Sequence, residues 1–125
     1  MAIDVRLIQA GEFIRTSANG ELDMEVSREL MKRTAAEMKG TPLRRILVDT
    51  RQAVAKWSAS TLYEIAVVFT EDPAFQNTRV ALLTRPERVD NARFLALVAN
   101  SRGAQMCGFD DFEDAFDWLV LSTQP

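Results

Sequence analysis

There is no histidine in this chain, and only one cysteine, Cys107. The first absence removes Ser-His-Asp and Cys-His catalysis and every histidine-ligated metal site. The second removes an internal disulfide and a cysteine zinc site, and leaves Cys107 best read as a small buried hydrophobe. An excess of basic residues is missing as well. The 15 Lys and Arg stand against 18 Asp and Glu, for a net charge of -3, the wrong sign for a general nucleic-acid binder. Long apolar runs are also missing: Ile65 to Phe69 is a handful of residues, where a membrane span needs about 20. Asp4, Arg6 and Glu12 interrupt the stretch from Met1 to Gly20 before a secretory signal can form, so a cytoplasmic location is expected.

What is present is ordinary for a folded chain. Hydrophobic residues make up 47% of the 125 residues and charged ones 26%, which fits a globular domain rather than a disordered one. The length suits one core, so a single domain over 1–121 with a free tail at 122–125 is expected. Ile3, Val5 and Leu7 alternate with Asp4 and Arg6 as in a half-buried strand. Ala10-Gly11 offers a turn into a second strand from Glu12 to Ser17, broken by Ala18-Asn19-Gly20. Asp23 caps a helix to about Lys39 with Val26, Leu30, Met31 and Met38 on its apolar stripe, and Gly40 with Pro42 ends it.

Three strand-helix units follow. Arg44 to Asp49, Arg79 to Thr84 and Gln105 to Phe109 are short apolar runs, each leading into residues of helical period. Alternation of this kind implies parallel strands joined by right-handed crossovers. Thr50 to Trp57 reads as a loop. The helix after it starts within Ser58-Ala59-Ser60-Thr61: Thr61 and Glu64 have capping-box spacing, and Ser58 is a rival cap. Thr84 and Glu87 repeat that spacing around Pro86. In the helix beyond, Ala92, Leu95, Ala96 and Ala99 share a face that Phe94 and Val98 widen, predicting burial on more than one side. In the last helix, capped by Asp110 and Asp111, Phe112, Ala115, Phe116, Leu119 and Val120 form the stripe; Trp118 falls off it, as an indole free to meet another chain.

This order, a hairpin and a helix followed by three strand-helix units, resembles the SpoIIAA-like proteins of the STAS group. Their fold is shared with CRAL-TRIO lipid-exchange domains. The matching segments are Gly20 to Asp23, Ile46 to Asp49, Arg79 to Leu83, and Phe109-Asp110 through Ala115-Phe116-Asp117-Trp118-Leu119. The resemblance implies an α/β fold in which an N-terminal antiparallel hairpin joins a mostly parallel sheet with four helices. STAS anti-sigma-factor antagonists carry an Asp-Ser-Ser-Gly or Asp-Ser-Thr-Gly turn at the start of the second main helix, phosphorylated on its first hydroxyl residue. Here the corresponding stretch is Ser58-Ala59-Ser60-Thr61, with Ala59 at the phosphorylated position; a slip of one residue brings Ser58 or Ser60 there instead.

Candidate site residues lie at the carboxyl ends of the parallel strands, where open α/β sheets bind ligands. Arg51 and Arg85, with the hydroxyls of Ser58, Ser60 and Thr61, form an anion pocket on one reading; on the other, the hydroxyls cap a helix and the arginines are solvated. Asp49 stands where a general base often does, but it lacks partners for that work, and a structural carboxylate bonding loop amides is expected. Trp57 is either a stacking lid or part of the core's closure. No catalytic residue, metal or cofactor is expected. The resemblance implies a non-enzymatic STAS-like module that binds a protein partner or a second copy of itself in bacterial regulation. The alternative is a carrier or sensor of a small apolar or anionic ligand, as in CRAL-TRIO domains.

Overall fold

A computed structural model describes residues 2–8 and 13–121. The turn expected at Ala10-Gly11 and the tail at 122–125 lie outside the described residues. Strands β1 (Ala2–Ile8) and β2 (Phe13–Glu21) pair antiparallel, with Ile3 opposite Ala18 and Ile8 opposite Phe13. Helix α1 (Met24–Lys39) follows, then β3 (Arg45–Asp49), the two-residue β4 (Ala53–Val54) and helix α2 (Ala59–Glu71). The chain continues through β5 (Arg79–Leu83), helix α3 (Val89–Ser101), β6 (Gln105–Phe109) and the short helix α4 (Phe112–Phe116). The sheet runs β1-β2-β3-β5-β6, and every pairing after the hairpin is parallel. The expected α/β architecture is the one observed.

Side chains alternate across each strand, so the sheet has two differently covered faces. Ile14, Ile46, Val80, Leu82 and Met106 join Leu62, Ile65, Phe69, Leu95 and Ala96 in the main core, beneath α2 and α3. Leu22, Val26 and Leu30 continue that layer under α1. On the opposite face Phe13, Leu47, Ala81 and Leu83 pack against the C-terminal segment, with Ala115 and Leu119 buried and Phe116, Trp118 and Val120 partly buried around them. Three alanines of α3 (Ala92, Ala96 and Ala99) are buried against the sheet and let the helix sit close. A Cβ added to Gly108 of β6 would lie 3.0 Å from the carbonyl carbon and Cβ of Ala92 and 3.1 Å from the Arg93 nitrogen.

Caps fall where local chemistry places them. Asp23 Oδ1 accepts the Val26 N–H at 2.9 Å and Asp111 Oδ2 the Asp114 N–H at 3.1 Å. In the last turn of α3, the Asn100 side chain reaches the border strand, where its Nδ2 donates to the Met106 carbonyl and its Oδ1 accepts the Met106 N–H, both at 2.8 Å.

Several sequence expectations are corrected. The second strand does not stop at Ser17, because Ala18 and Asn19 pair with β1 while Gly20 and Glu21 pair with β4. Gly20, at φ 84°, takes in strand a backbone that glycine alone adopts without strain. The loop from Thr50 therefore contains a strand too short for any periodicity to reveal. The Thr84–Glu87 capping box does not form: a 3-10 turn at Pro86–Arg88 leads into α3, whose cap residue Arg88 makes no side-chain cap bond. Helix α3 is buried on one side only, with Phe94 36% and Leu97 67% exposed. The last stripe is also split, because α4 widens into a π turn at Asp117–Leu121, leaving Leu119 fully buried and Phe112 exposed. The Trp118 ring packs on Phe109 with centroids 5.8 Å apart and under the Arg79 guanidinium at 3.9 Å. Arg79 also donates twice to the Trp118 carbonyl, at 2.8 and 3.1 Å, so the indole is engaged within the chain.

Candidate functional site

The carboxyl ends of β3, β5 and β6 are laced together before any function is asked of them. The Thr50 N–H donates to the Leu83 carbonyl at 2.8 Å and the Thr84 N–H to the Phe109 carbonyl at 2.9 Å. Arg88, half-buried, donates to the Thr50 carbonyl at 2.9 Å and to Thr84 Oγ1 at 3.4 Å. Sequence reasoning missed Arg88, because nothing in a linear pattern marks an arginine that serves two loops.

Asp49 closes β3 on the face shared with Leu47, two residues before it, toward the C-terminal layer. Its side chain is 3% exposed. Arg51 grips it three times: the backbone N–H and Nε donate to Oδ1 at 3.1 and 3.0 Å, and Nη2 donates to Oδ2 at 2.9 Å. Arg15 Nη2, from β2 on the same face, adds a contact to Oδ2 at 3.0 Å. Burial alone would push the Asp49 carboxyl up, but the Arg51 and Arg15 hydrogen bonds and the Arg51 charge outweigh it and hold the group below its usual range. The hydrogen bond to Asp49 holds the Arg51 guanidinium above its ordinary value, with Asp111 adding to the field. A carboxylate so saturated holds a loop in place. It is not free to accept a proton in catalysis.

The sign of the pH effect follows. Because the folded pKa is depressed, the unfolded chain binds more protons in the window below about pH 4, the ordinary aspartate range, and stability falls as pH drops through that window. Denaturant titrations of wild type and Asp49→Asn should therefore converge as pH falls from 5 toward 3, with the wild type losing the advantage it holds at neutral pH. Parallel curves would mean that the pair contributes nothing.

Trp57 and the start of α2 lie on the other side of the sheet. Trp57 is half-buried against both the main core and the α1 layer. Ser58 is the cap: its Oγ accepts the Thr61 N–H at 3.3 Å and lies 3.0 Å from Ser60 Oγ and 3.1 Å from Thr61 Oγ1. Of the two rivals for the cap, Ser58 holds the position and Thr61 sits inside the helix. Ser58→Ala should thus cost about 0.5–2 kcal/mol and Thr61→Ala much less, measured by chemical denaturation. Equal losses would place the helix start elsewhere.

The structure brings Ser58, Ser60 and Thr61 together, and separately Asp49 and Arg51. It does not bring Arg51 to the hydroxyls, since that guanidinium is bound to Asp49. Arg85 is exposed beyond β5, its Nε 3.6 Å from Glu87 Oε2. Under the Trp57 side of the sheet lies an apolar cavity of about 100 Å³, with a second of about 50 Å³ beside it; both are lined by Leu22, Thr50, Trp57, Leu82 and Leu95. A larger hollow of about 420 Å³ opens at the far, amino ends of β5 and β6, between Thr70, Asn77, Arg102 and Gln105. Among the described residues no three His, Cys, Asp or Glu side chains gather as metal ligands. None of the described helices is long and apolar enough to cross a membrane.

With this geometry in place, solved structures identify the fold. A protein of the DUF3478 family from Shewanella loihica PV-4, uncharacterized and described as having a SpoIIAA-like fold, superposes with a TM-score of 0.60 at 22% identity, over 94% of this chain and 92% of that one. This chain has a SpoIIAA-like fold. SpoIIAA itself, the anti-sigma factor antagonist in its unphosphorylated form, matches with a TM-score of 0.60 at 14% identity, over 99% of this chain and 100% of that chain. No family model matches the sequence, and no match was found among curated proteins. The SpoIIAA-like fold accounts for the hairpin, the parallel strands after it and the placement of α2 at a strand's carboxyl end.

Proposed function

We propose that this chain is a non-enzymatic STAS-type regulatory module that works by binding a protein partner. The contact face is the exposed start of α2, where Ser58, Ser60 and Thr61 cluster. The observation that carries this reading is the hydroxyl cluster itself, which stands in the open at the helix start that the resemblance aligns with the phosphorylated turn of STAS antagonists. Tyr63, 51% exposed one turn further on, supplies the kind of aromatic anchor that interfaces favour. Asp49 and Arg51 hold the β3 end rigid, Trp57 sets the entry of the chain into α2, and Arg85 offers a charge at the rim. With the turn aligned so that Ala59 takes the phosphorylated position, and Ser58 or Ser60 reached only by a slip of one residue, the proposed contact is made without a phosphate at Ala59.

The test compares immobilised wild type with Ser60→Arg and Tyr63→Glu, both at exposed positions, and with Lys39→Glu at the far end of α1. A partner from host extract should be retained by wild type and Lys39→Glu. With purified partner, each of the other two variants should bind at least about tenfold more weakly, or about 1.4 kcal/mol. A retained set identical for all four proteins overturns the reading. Sedimentation of the pure chain shows whether the partner is a second copy.

A further inference from the structure

The interior beside this face holds a feature that partner binding does not use. Among the described residues, Trp57 Nε1 is a buried side-chain donor with no hydrogen-bond partner. Buried indole N–H groups are nearly always paired, and one left unmade is a standing penalty. Trp57 lines both the cavity of about 100 Å³ and its neighbour of about 50 Å³. The walls of the larger one are hydrocarbon apart from Ser27, Thr34 and Thr50, together with the Trp57 indole and the Met31 and Met106 thioethers. Those three hydroxyls are already committed, donating to the carbonyls of Asp23, Leu30 and Leu83 at 2.8, 2.8 and 3.1 Å. A buried water needs two to four polar partners; the larger cavity is poor in free ones, and Thr84, Arg88 and Asn91 line only its smaller neighbour. An apolar space of about 150 Å³ in a protein interior stays dry and takes up benzene.

We propose that the cavity beneath Trp57 is a binding site for a small, mostly hydrocarbon molecule bearing one hydrogen-bond acceptor. The Trp57 indole N–H donates to that acceptor, and Leu30, Ile46, Val48 and Ile65 enclose the hydrocarbon. Small cyclic ketones, esters and ethers of five or six heavy atoms have the required size and chemistry. Met31, unbranched and half-buried, lets the wall adjust to the occupant's shape.

Cyclopentanone and cyclopentane are the probes, equal in carbon skeleton and different in the acceptor. In nitrogen-15 labelled protein the two indole N–H signals belong to Trp57 and Trp118, and Trp57→Phe assigns them. Cyclopentanone should move the Trp57 signal saturably downfield and leave that of Trp118 in place. Cyclopentane should saturate without the downfield shift. Going from wild type to Trp57→Phe, cyclopentanone should lose about tenfold in affinity, the scale of a buried hydrogen bond, while cyclopentane changes far less. Equal losses for both probes, or no saturable shift, overturn the proposal. So does a long-lived water on the Trp57 N–H that the ketone does not displace. Val48→Leu, which narrows the cavity and keeps the indole, should weaken both probes; unchanged binding would place them elsewhere and also overturn it.

Discussion

Leu119→Ala should destabilise the domain by about 2–5 kcal/mol, the range for a fully buried leucine whose site cannot collapse. Leu119 has no exposed surface and packs with Ala115 against Phe13, Leu47, Ala81 and Leu83. Among the described residues this segment is the sole helical cover of that sheet face, so no neighbouring helix can slide in to fill the gap. Against a total of about 5–15 kcal/mol for a domain of ordinary stability, the loss is large. Phe116→Ala should cost less, although the sequence puts it at the centre of the stripe. Its ring is half-buried, meeting Phe13 edge-on at 6.0 Å and Phe112 at 6.0 Å. Urea unfolding of the two variants decides the order. A Phe116 loss exceeding that of Leu119 would mean that the π turn does not carry the docking.

Gly108→Ala should cost about 1–3 kcal/mol, the range for overpacking a close-fitted core. The new methyl would meet the backbone and Cβ of Ala92 at 3.0 Å, atoms that cannot rotate away as a side-chain tip would. For a chain of this length that is about 4 °C of melting temperature per kcal/mol. The strain falls between α3 and β6, so hydrogen exchange should quicken at Ala92, Leu95 and Met106 before it does in α1. Unchanged melting and exchange would show that α3 yields freely.

How much of this was legible in the sequence depends on whether the cause was local. The caps at Asp23 and Asp111 follow from one side chain and the amides beside it, and the strands at Ile46 and Val80 follow from short apolar runs; all are visible in the linear text. Strand β4 is two residues long and exists because Gly20 and Glu21 offer backbone partners far away in sequence. The exposure of Phe94 was hidden for a similar reason, since helical period shows that a residue flanks the apolar stripe and not whether a second layer covers it. At the candidate site the hydroxyl cluster was readable from Ser58-Ala59-Ser60-Thr61. The engagement of Arg51 was not: Asp49 and Arg51 are two residues apart, but whether the guanidinium folds back or reaches outward depends on the burial of the carboxylate. Arg15 joins that carboxylate only because β2 lies beside β3, a fact of topology. The cavity beneath Trp57 is the sum of many imperfect fits and has no sequence signature.

The Asn100 amide bears on whether another strand can add to the sheet at β6. An open sheet ends in strands whose outward backbone groups invite another strand to add on. At the β6 border the most apolar of the outward positions, Met106, is already answered by Asn100 in the pattern that a neighbouring strand would use. A second chain seeking to extend the sheet there would have to evict a side chain anchored on α3, trading two good hydrogen bonds for two others. At this border the molecule carries its own stopper against sheet extension.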